Sequence, residues 1–368
     1  MKIVIAPDSF KGSATSQEVS LWIKSGILSV IPECETTIIP IGDGGEGTLN
    51  AVVGAGFQKI DVDVMGPSGN TVHASFGIRG DVALVELAEA SGLAALLDNV
   101  RIPLSATSYG TGQLITAALN HGARKIILAV GGSACTDAGA GALQALGASL
   151  KNRHGDEIAL GGASLQECVS IDTDSLDPRI KEVEFILASD VSNPLNGPQG
   201  AARIYAPQKG ATPADVTLLQ KALEHFAALA GDRHSSSPGA GSAGGFGFMA
   251  LTFLGGHCES GINTVLQLVE FERHLTGADL VITGEGRFDS QSLQGKAPLG
   301  ILSIASRHGV PVVLICGQSS LNSSEKIAAE FKSIHTLTSI EPDKRRCLRN
   351  PQPIIEKISA SIAKELIS

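Results

Sequence analysis

The 368-residue chain has little positive charge to offer a polyanion: 28 Lys and Arg stand against 37 Asp and Glu, a formal net charge of -9. No Lys/Arg-rich run occurs, and binding along a phosphate backbone needs a basic face, so a nucleic-acid surface is excluded. Also missing is any apolar stretch near the ~20 residues that span a bilayer. The amino terminus MKIVIAPDSF reaches Asp8 after one short apolar run with no cleavage site, which does not make a signal peptide. The six cysteines, Cys34, Cys135, Cys168, Cys258, Cys316 and Cys347, lie far apart with no Cys-x-x-Cys pair. Neither a zinc knuckle nor a secreted disulfide framework is signalled, and a soluble protein of a reducing cytoplasm is expected. The nine histidines form no HExxH or paired spacing, and no G-x-S-x-G elbow appears, so metal-hydrolase and Ser-His-Asp chemistry lack support.

What is abundant is glycine, 43 residues, clustered beside polar side chains as ligand-facing loops are. With 43% hydrophobic and only 18% charged residues the chain is globular, and its length favours two domains. A buried strand is expected at Ile3 to Ala6. Thr15-x-x-Glu18 reads as a capping box opening a helix to about Val30, followed by a strand from Thr36 to Ile41. From Ile60 the pattern alternates through GPSGN to Ile78, an antiparallel hairpin of a different sheet. Strands near Val82 to Val85, Lys125 to Val130 and Phe185 to Ser189 follow, with a second hairpin expected around NRHG. A helix from Thr212-Pro213-x-Asp215 runs to about Ala230, and Ser235 to Gly245 is the most flexible-looking stretch. The β-α alternation returns with strands 279–283, 312–316 and 334–338 and helices 297–308, 324–331 and 351–366. The reading is a five-stranded doubly wound parallel sheet, order 2-1-3-4-5, interrupted by an insertion. The domains expected are 1–60 with 265–368, and 61–264, the inserted one also α/β with a mixed sheet.

In that order the first and third strands are neighbours, and ligands bind at the carboxyl ends of strands at such a switch point. GADLVITGEGRFDSQSLQGK, from Gly277 to Lys296, places Glu285, Arg287, Asp289 and Lys296 past a short apolar strand. APDSFKGS brings Asp8, Ser9 and Lys11 opposite them, and a lysine there can hold phosphate oxygens. GDGGEG adds Asp43, Gly44, Gly45 and Glu46. Mg²⁺ takes carboxylates, water and phosphate oxygens, so Asp43, Glu46, Asp190, Glu285 and Asp289 are candidates, though five acids cannot all be ligands. Asp43 also suits a plain Asp-Gly turn and Glu46 a helix amino terminus. GGSACTDAGAG, with Gly131, Gly132 and Ser133, follows a strand and opens a helix, where free N–H groups bind phosphate, but it lacks the Walker ending. GAGSAG, residues 239–244, matches G-x-G-x-x-G without a preceding strand.

Taken in order, KIVIAPDSFKGS, PIGDGGEGT, ELAEASGL, ATSYGTGQLI, GGSACTDAGAGALQALG, ASDVSNPLNGPQGAARIYAPQKGA, PGAGSAGG and ADLVITGEGRFDSQSLQGK resemble the bacterial glycerate kinase family. The resemblance implies a flavodoxin-like domain split by an inserted second domain, with the active site in the cleft between them. It also implies transfer of the ATP γ-phosphoryl group to D-glycerate, with 2-phosphoglycerate favoured over 3-phosphoglycerate and Mg²⁺ assisting. On this reading Asp190, Lys11 and Asp43 are catalytic. Substrate or phosphate is held by Asp8, Ser9, Gly44, Gly45, Glu46, Gly131, Gly132, Ser133, Asn193, Lys209, Arg287 and Lys296, and Mg²⁺ by Asp190, Glu285 and Asp289. The partners implied are ATP and glycerate, with a monomer or homodimer and no membrane. Where the family usually has Gly-Gly-Ser-Ala-Thr-Asn-Asp-Gly-Gly, this chain carries Cys135, Thr136 and Ala138. The rivals are a kinase for another small hydroxy acid and a non-catalytic two-domain binding protein for organic acids.

Overall fold

The computed structural model describes residues 1–42, 44–96, 100–289, 292, 296–320 and 328–368. Its strands are β1 (Lys2–Pro7), β2 (Glu35–Ile38), β3 (Gln58–Met65), β4 (Thr71–Arg79), β5 (Val82–Glu86), β6 (Lys125–Ala129), β7 (Ser149–Asn152), β8 (Cys168–Asp172), β9 (Glu184–Ala188), β10 (His257–Glu259), β11 (Leu280–Phe288), β12 (Val312–Ser319) and β13 (Ser333–Thr336). The chain divides into two compact units, Met1–Asp43 with Asn50–Ala55 and Ile262–Ser368, and Gly44–Leu49 with Gly56–Gly261.

The first unit is built on a parallel sheet in the order β13-β12-β11-β1-β2. Its central strands β1, β11 and β12 carry buried apolar runs on both faces, as a sheet covered on both sides requires, whereas the edge strands β2 and β13 are more polar. Ile3, Ile5, Leu280, Ile282, Val313 and Ile315 share one core with the helices Ser16–Leu28 and Gln352–Ile367. The helix Ala297–Arg307 packs on β11, β12 and β1. Thr15 Oγ1 accepts the Glu18 N–H at 3.2 Å while the Glu18 carboxylate accepts the Thr15 N–H at 2.8 Å, the reciprocal cap that the sequence signals.

Two expectations are corrected here. β11 does not stop at Thr283: its backbone goes on pairing with β12 through Glu285↔Cys316 and Arg287↔Gln318, so these polar residues sit on strand, alternating in direction. β2 ends as a strand at Ile38, although the Ile41 N–H still donates to the Pro7 carbonyl of β1 at 3.2 Å. The helix expected at 324–331 lies mostly outside the described residues, and Ala328–Glu330 is a single 3₁₀ turn.

The second unit holds a mixed six-stranded sheet, β10-β9-β6-β5-β4-β3, parallel from β10 to β5 and antiparallel from β5 to β3. β3 and β4 form the hairpin that the alternation indicates. Around NRHG the chain turns back on itself, with Lys151 bridged antiparallel to Glu157 and the Ile158 N–H donating to the Leu150 carbonyl at 2.9 Å, while β7 also pairs antiparallel with the later β8 through Leu150 and Ile171. Ser235–Gly245 is packed: Ser235, Ala240 and Ser242 are buried, and the helix Ser242–Phe253 is kinked at Ala243, Gly244 and Gly245. A Cβ on Gly241 would stand 2.2 Å from the Pro194 carbonyl, so the small residues there serve close packing rather than mobility. Among the described residues no helix is long and apolar enough to cross a membrane.

Candidate active site

In the first unit the carboxyl ends of β1 and β11 carry most of the polar groups. After β1, Phe10 and Ala14 exchange backbone hydrogen bonds of 2.9 and 3.0 Å, which closes a tight loop with Lys11 and Gly12 at its tip. Gly12 has φ 76°, a conformation that costs glycine little. Asp8, Ser9, Lys11, Glu285, Arg287 and Lys296 line a cavity of about 300 Å³. Asp8 and Glu285 are 7% and 6% exposed, so both carboxylates face the cavity from buried positions. Arg287 Nε lies 2.9 Å from Asp289 Oδ2, an ion pair that ties Asp289 to its own strand end. Lys296 occupies the amino-terminal cap of the helix Ala297–Arg307, where its side chain reaches the cavity wall. Beside Glu285 the buried Cys316 thiol is pushed up to about 12, first by desolvation and then by that carboxylate, and it is inert as a nucleophile.

In the second unit two glycine-rich loops meet. The Gly131 N–H donates to the Gly44 carbonyl at 3.2 Å, and a Cβ on Gly131 would fall 2.4 Å from the Gly45 Cα. Glu86, at the end of β5 and 2% exposed, accepts the N–H groups of Gly47 at 3.0 Å and Leu49 at 2.8 Å. The acidic loop is thereby fixed by a carboxylate from the sheet. Glu46, Glu86, Glu89 and Gly132 line a second cavity of about 390 Å³. At the end of β9, Asp190 Oδ1 accepts from the Ser260 hydroxyl at 2.9 Å and the Gly261 N–H at 2.8 Å. Asn193 is held by the Gln199 carbonyl and the Tyr205 hydroxyl at 2.8 and 2.6 Å.

The loop after β6 departs from expectation. Its helix starts only at Ala140, and the Asp137 carboxylate takes the N–H groups of Gly139 and Gly141 at 3.1 and 3.4 Å. Those donors therefore serve an internal cap and are not offered to a phosphate. Lys209 is 2% exposed and donates to Ser133 Oγ at 2.8 Å and the Cys135 carbonyl at 2.5 Å, which anchors this loop. Burial holds the Lys209 ammonium below the ordinary lysine range, opposed by nearby Cys135 and Asp137. Ala138 has φ 52°, so it stands in the left-handed region that glycine reaches at lower cost.

Within single units, then, the structure gathers Asp8, Ser9, Lys11, Glu285, Arg287 and Lys296 in one group and Gly44, Gly45, Glu46, Gly131 and Gly132 in another. Asp43 lies outside the described residues. The sequence reading overlooked Glu86, although a glutamate closing the apolar run VALVE is itself a signal of a buried acceptor. It also overlooked Asp137 and its partner Ser108.

The family's sequence model, described as "Glycerate kinase family", matches residues 3–367. The chain belongs to the glycerate kinase family. Glycerate kinase of Bacillus subtilis strain 168 is 44% identical over 349 residues, covering 93% of this chain and 91% of that one. Glycerate 2-kinase of Escherichia coli K12 is 46% identical over 326 residues, covering 86% and 85%. The crystal structure of a protein described as glycerate kinase 2 from Salmonella typhimurium LT2 superposes with a TM-score of 0.84 at 39% identity, covering 100% and 98% of the two chains. Family membership makes the chain an ATP-dependent kinase.

Mg²⁺ fits the residues present. Among the described residues no group of three His, Cys, Asp or Glu forms a metal cage. Mg²⁺ does not need one, since one or two carboxylates suffice when phosphate oxygens and water complete the shell. Glu285 supplies a buried hard oxygen donor on a cavity wall that also carries lysines. Asp289 is paired with Arg287, and the Asp190 carboxylate accepts from Ser260 and Gly261.

Proposed function

We propose that the protein transfers the γ-phosphoryl group of ATP to D-glycerate, giving 2-phosphoglycerate and ADP. The observation that carries the reading is the cavity at the carboxyl ends of β1 and β11, where Lys11 and Lys296 share a wall with buried Asp8 and Glu285. Cations there neutralise phosphoryl oxygens, and catalysis of this reaction consists mainly of positioning and charge neutralisation. The strand order of the first unit supports a flavodoxin-like domain with the second unit as its insertion. The resemblance of 46% to a glycerate 2-kinase supports the 2-position over the 3-position.

Asp190 is the group assigned to the acceptor hydroxyl. The hydroxyl oxygen bonds to the γ-phosphorus, the bond to the β,γ-bridging oxygen breaks, and the hydroxyl proton passes to the carboxylate. Asp190 is oriented for this by Ser260 and Gly261. Glu285 would hold Mg²⁺, with Asp8 beside it on the wall; the ion supplies charge neutralisation on the phosphate oxygens. Lys209 acts on Ser133 and the loop rather than on substrate.

³¹P NMR of the purified protein with D-glycerate, ATP and Mg²⁺ tests the reading. A 2-phosphoglycerate resonance with stoichiometric ADP is expected. The 3-phosphate would overturn the regiochemistry, and ATP consumption only with another hydroxy acid would overturn the acceptor.

A further inference from the structure

The cavity of the first unit is longer than a three-carbon acid requires. Its lining runs from Asp8 and Lys11 after β1, past Glu285 on β11 and Gln318 on β12, to Leu337 and Thr338 after β13. Four adjacent parallel strands at ~4.8 Å spacing extend over ~14 Å. The lining differs along its length. Toward β1 and β11 stand Lys11, Lys296 and Arg287; after β13 stand Leu337 and Thr338 with Lys344, Cys347 and Leu348 of the helix Lys344–Arg349, so the apolar side chains there are flanked by one further lysine. Leu337 and Cys347 are 1% and 6% exposed, whereas Leu348 is 55% exposed, an apolar side chain left at the open edge of a pocket. That edge is pinned to the phosphate side, because the Ser13 hydroxyl donates to the Leu348 carbonyl at 2.6 Å.

A ligand that matches this wall has an anionic end, a flat apolar end and polar edges for Gln318 and Thr338. A small hydroxy acid lacks the flat apolar end. We propose that this cavity is the nucleoside subsite of the phosphoryl donor, with the purine base against Leu337, Cys347 and Leu348 and the polyphosphate toward Lys11, Lys296 and Arg287. The proposal rests on the kinase reading above and adds which unit takes the nucleotide and which residues select the base. It gives a function to the carboxy-terminal helices, in which no glycine-rich motif occurs.

The test compares ADP with inorganic tripolyphosphate by isothermal titration on the full chain and on Leu348→Glu, a substitution at an exposed position that leaves the Leu348 carbonyl in place. ADP binding is expected to weaken by at least about tenfold while tripolyphosphate stays within about twofold. In kinetics the KM for ATP rises and that for D-glycerate does not. A photoreactive azido-adenine nucleotide should label a peptide within residues 337–348 of the unmodified protein. Unchanged ADP affinity, a rise confined to the D-glycerate KM, or labelling elsewhere would overturn the assignment. A protein that loses ADP binding on Leu348→Glu yet forms no phosphoglycerate would uphold the subsite while refuting the acceptor.

Discussion

Asp137 Oδ2 accepts both the backbone N–H and the hydroxyl of Ser108, each at 2.8 Å, in a site where neither residue is exposed. The same carboxylate caps Gly139 and Gly141. One side chain therefore joins the loop after β6 to the start of the helix Tyr109–Asn120. Asp137→Ala strands several buried donors, and a loss of about 3 kcal/mol or more in urea denaturation is expected. A loss below about 1 kcal/mol would mean that water replaces the carboxylate.

Next to it, Thr136 Oγ1 is buried with no hydrogen-bond partner. Valine has nearly the same shape and no hydroxyl to desolvate. Thr136→Val should raise stability by about 1 kcal/mol, read as a higher melting temperature. A lower one would show that the hydroxyl is satisfied in solution.

The contact of Gly131 with Gly45 is backbone against backbone, so no flexible side chain can yield. Gly131→Ala should push the two glycine-rich loops apart at a cost of about 1–3 kcal/mol. Activity should fall more than stability does, because the displaced loop carries Glu46. Wild-type kinetics in Gly131→Ala would remove this contact from the working site.

Asp190→Asn preserves an oxygen to accept from Ser260 and Gly261, so the melting temperature should move little. Turnover should drop by about 10²–10⁴, the usual contribution of a positioned base. Retained turnover would leave Asp190 a purely structural acceptor.

Burial pushes Glu86 up to about 7 from 4.5, against the N–H groups of Leu49 and Gly47 that favour its charged form. The folded chain thus keeps this proton to higher pH than the unfolded chain does. The stabilisation is complete below about 4.5 and is lost as pH rises through about 7. Between pH 5 and 8 the protein should lose up to about 3 kcal/mol relative to Glu86→Gln, whose side chain does not titrate. Parallel stability profiles for the two proteins would refute the shift.

Local chemistry was legible in the sequence where it depends on near neighbours. The Thr15–Glu18 and Thr212–Asp215 caps, the β3–β4 hairpin and the parallel strand runs all follow from residues a few positions apart. What depends on distant partners was not. Within APQKGA, Lys209 suggests a substrate or phosphate contact, and nothing nearby in sequence points to its bond with Ser133, 76 residues away. The length of β11 is set by β12, and Leu348 looks unremarkable within KRRCLR until Ser13 grips its carbonyl. Ser235–Gly245 has the composition of a linker because close packing and flexibility both select small residues.

The neighbouring registers of β1 and β11 have a consequence for synthesis. Thr283 bonds the Ala6 carbonyl across 277 residues of chain. At ~5–20 residues per second, β1 waits roughly 14–55 s at the ribosome before β11 exists. Meanwhile the second unit, whose residues are nearly all contiguous, is already complete and can fold. The first unit is therefore finished last, and until then the apolar edge of β1, Ile3 to Ala6, stands open as a template for the wrong strand. Slower translation past Gly261 would lengthen that exposure without altering a single contact of the finished protein.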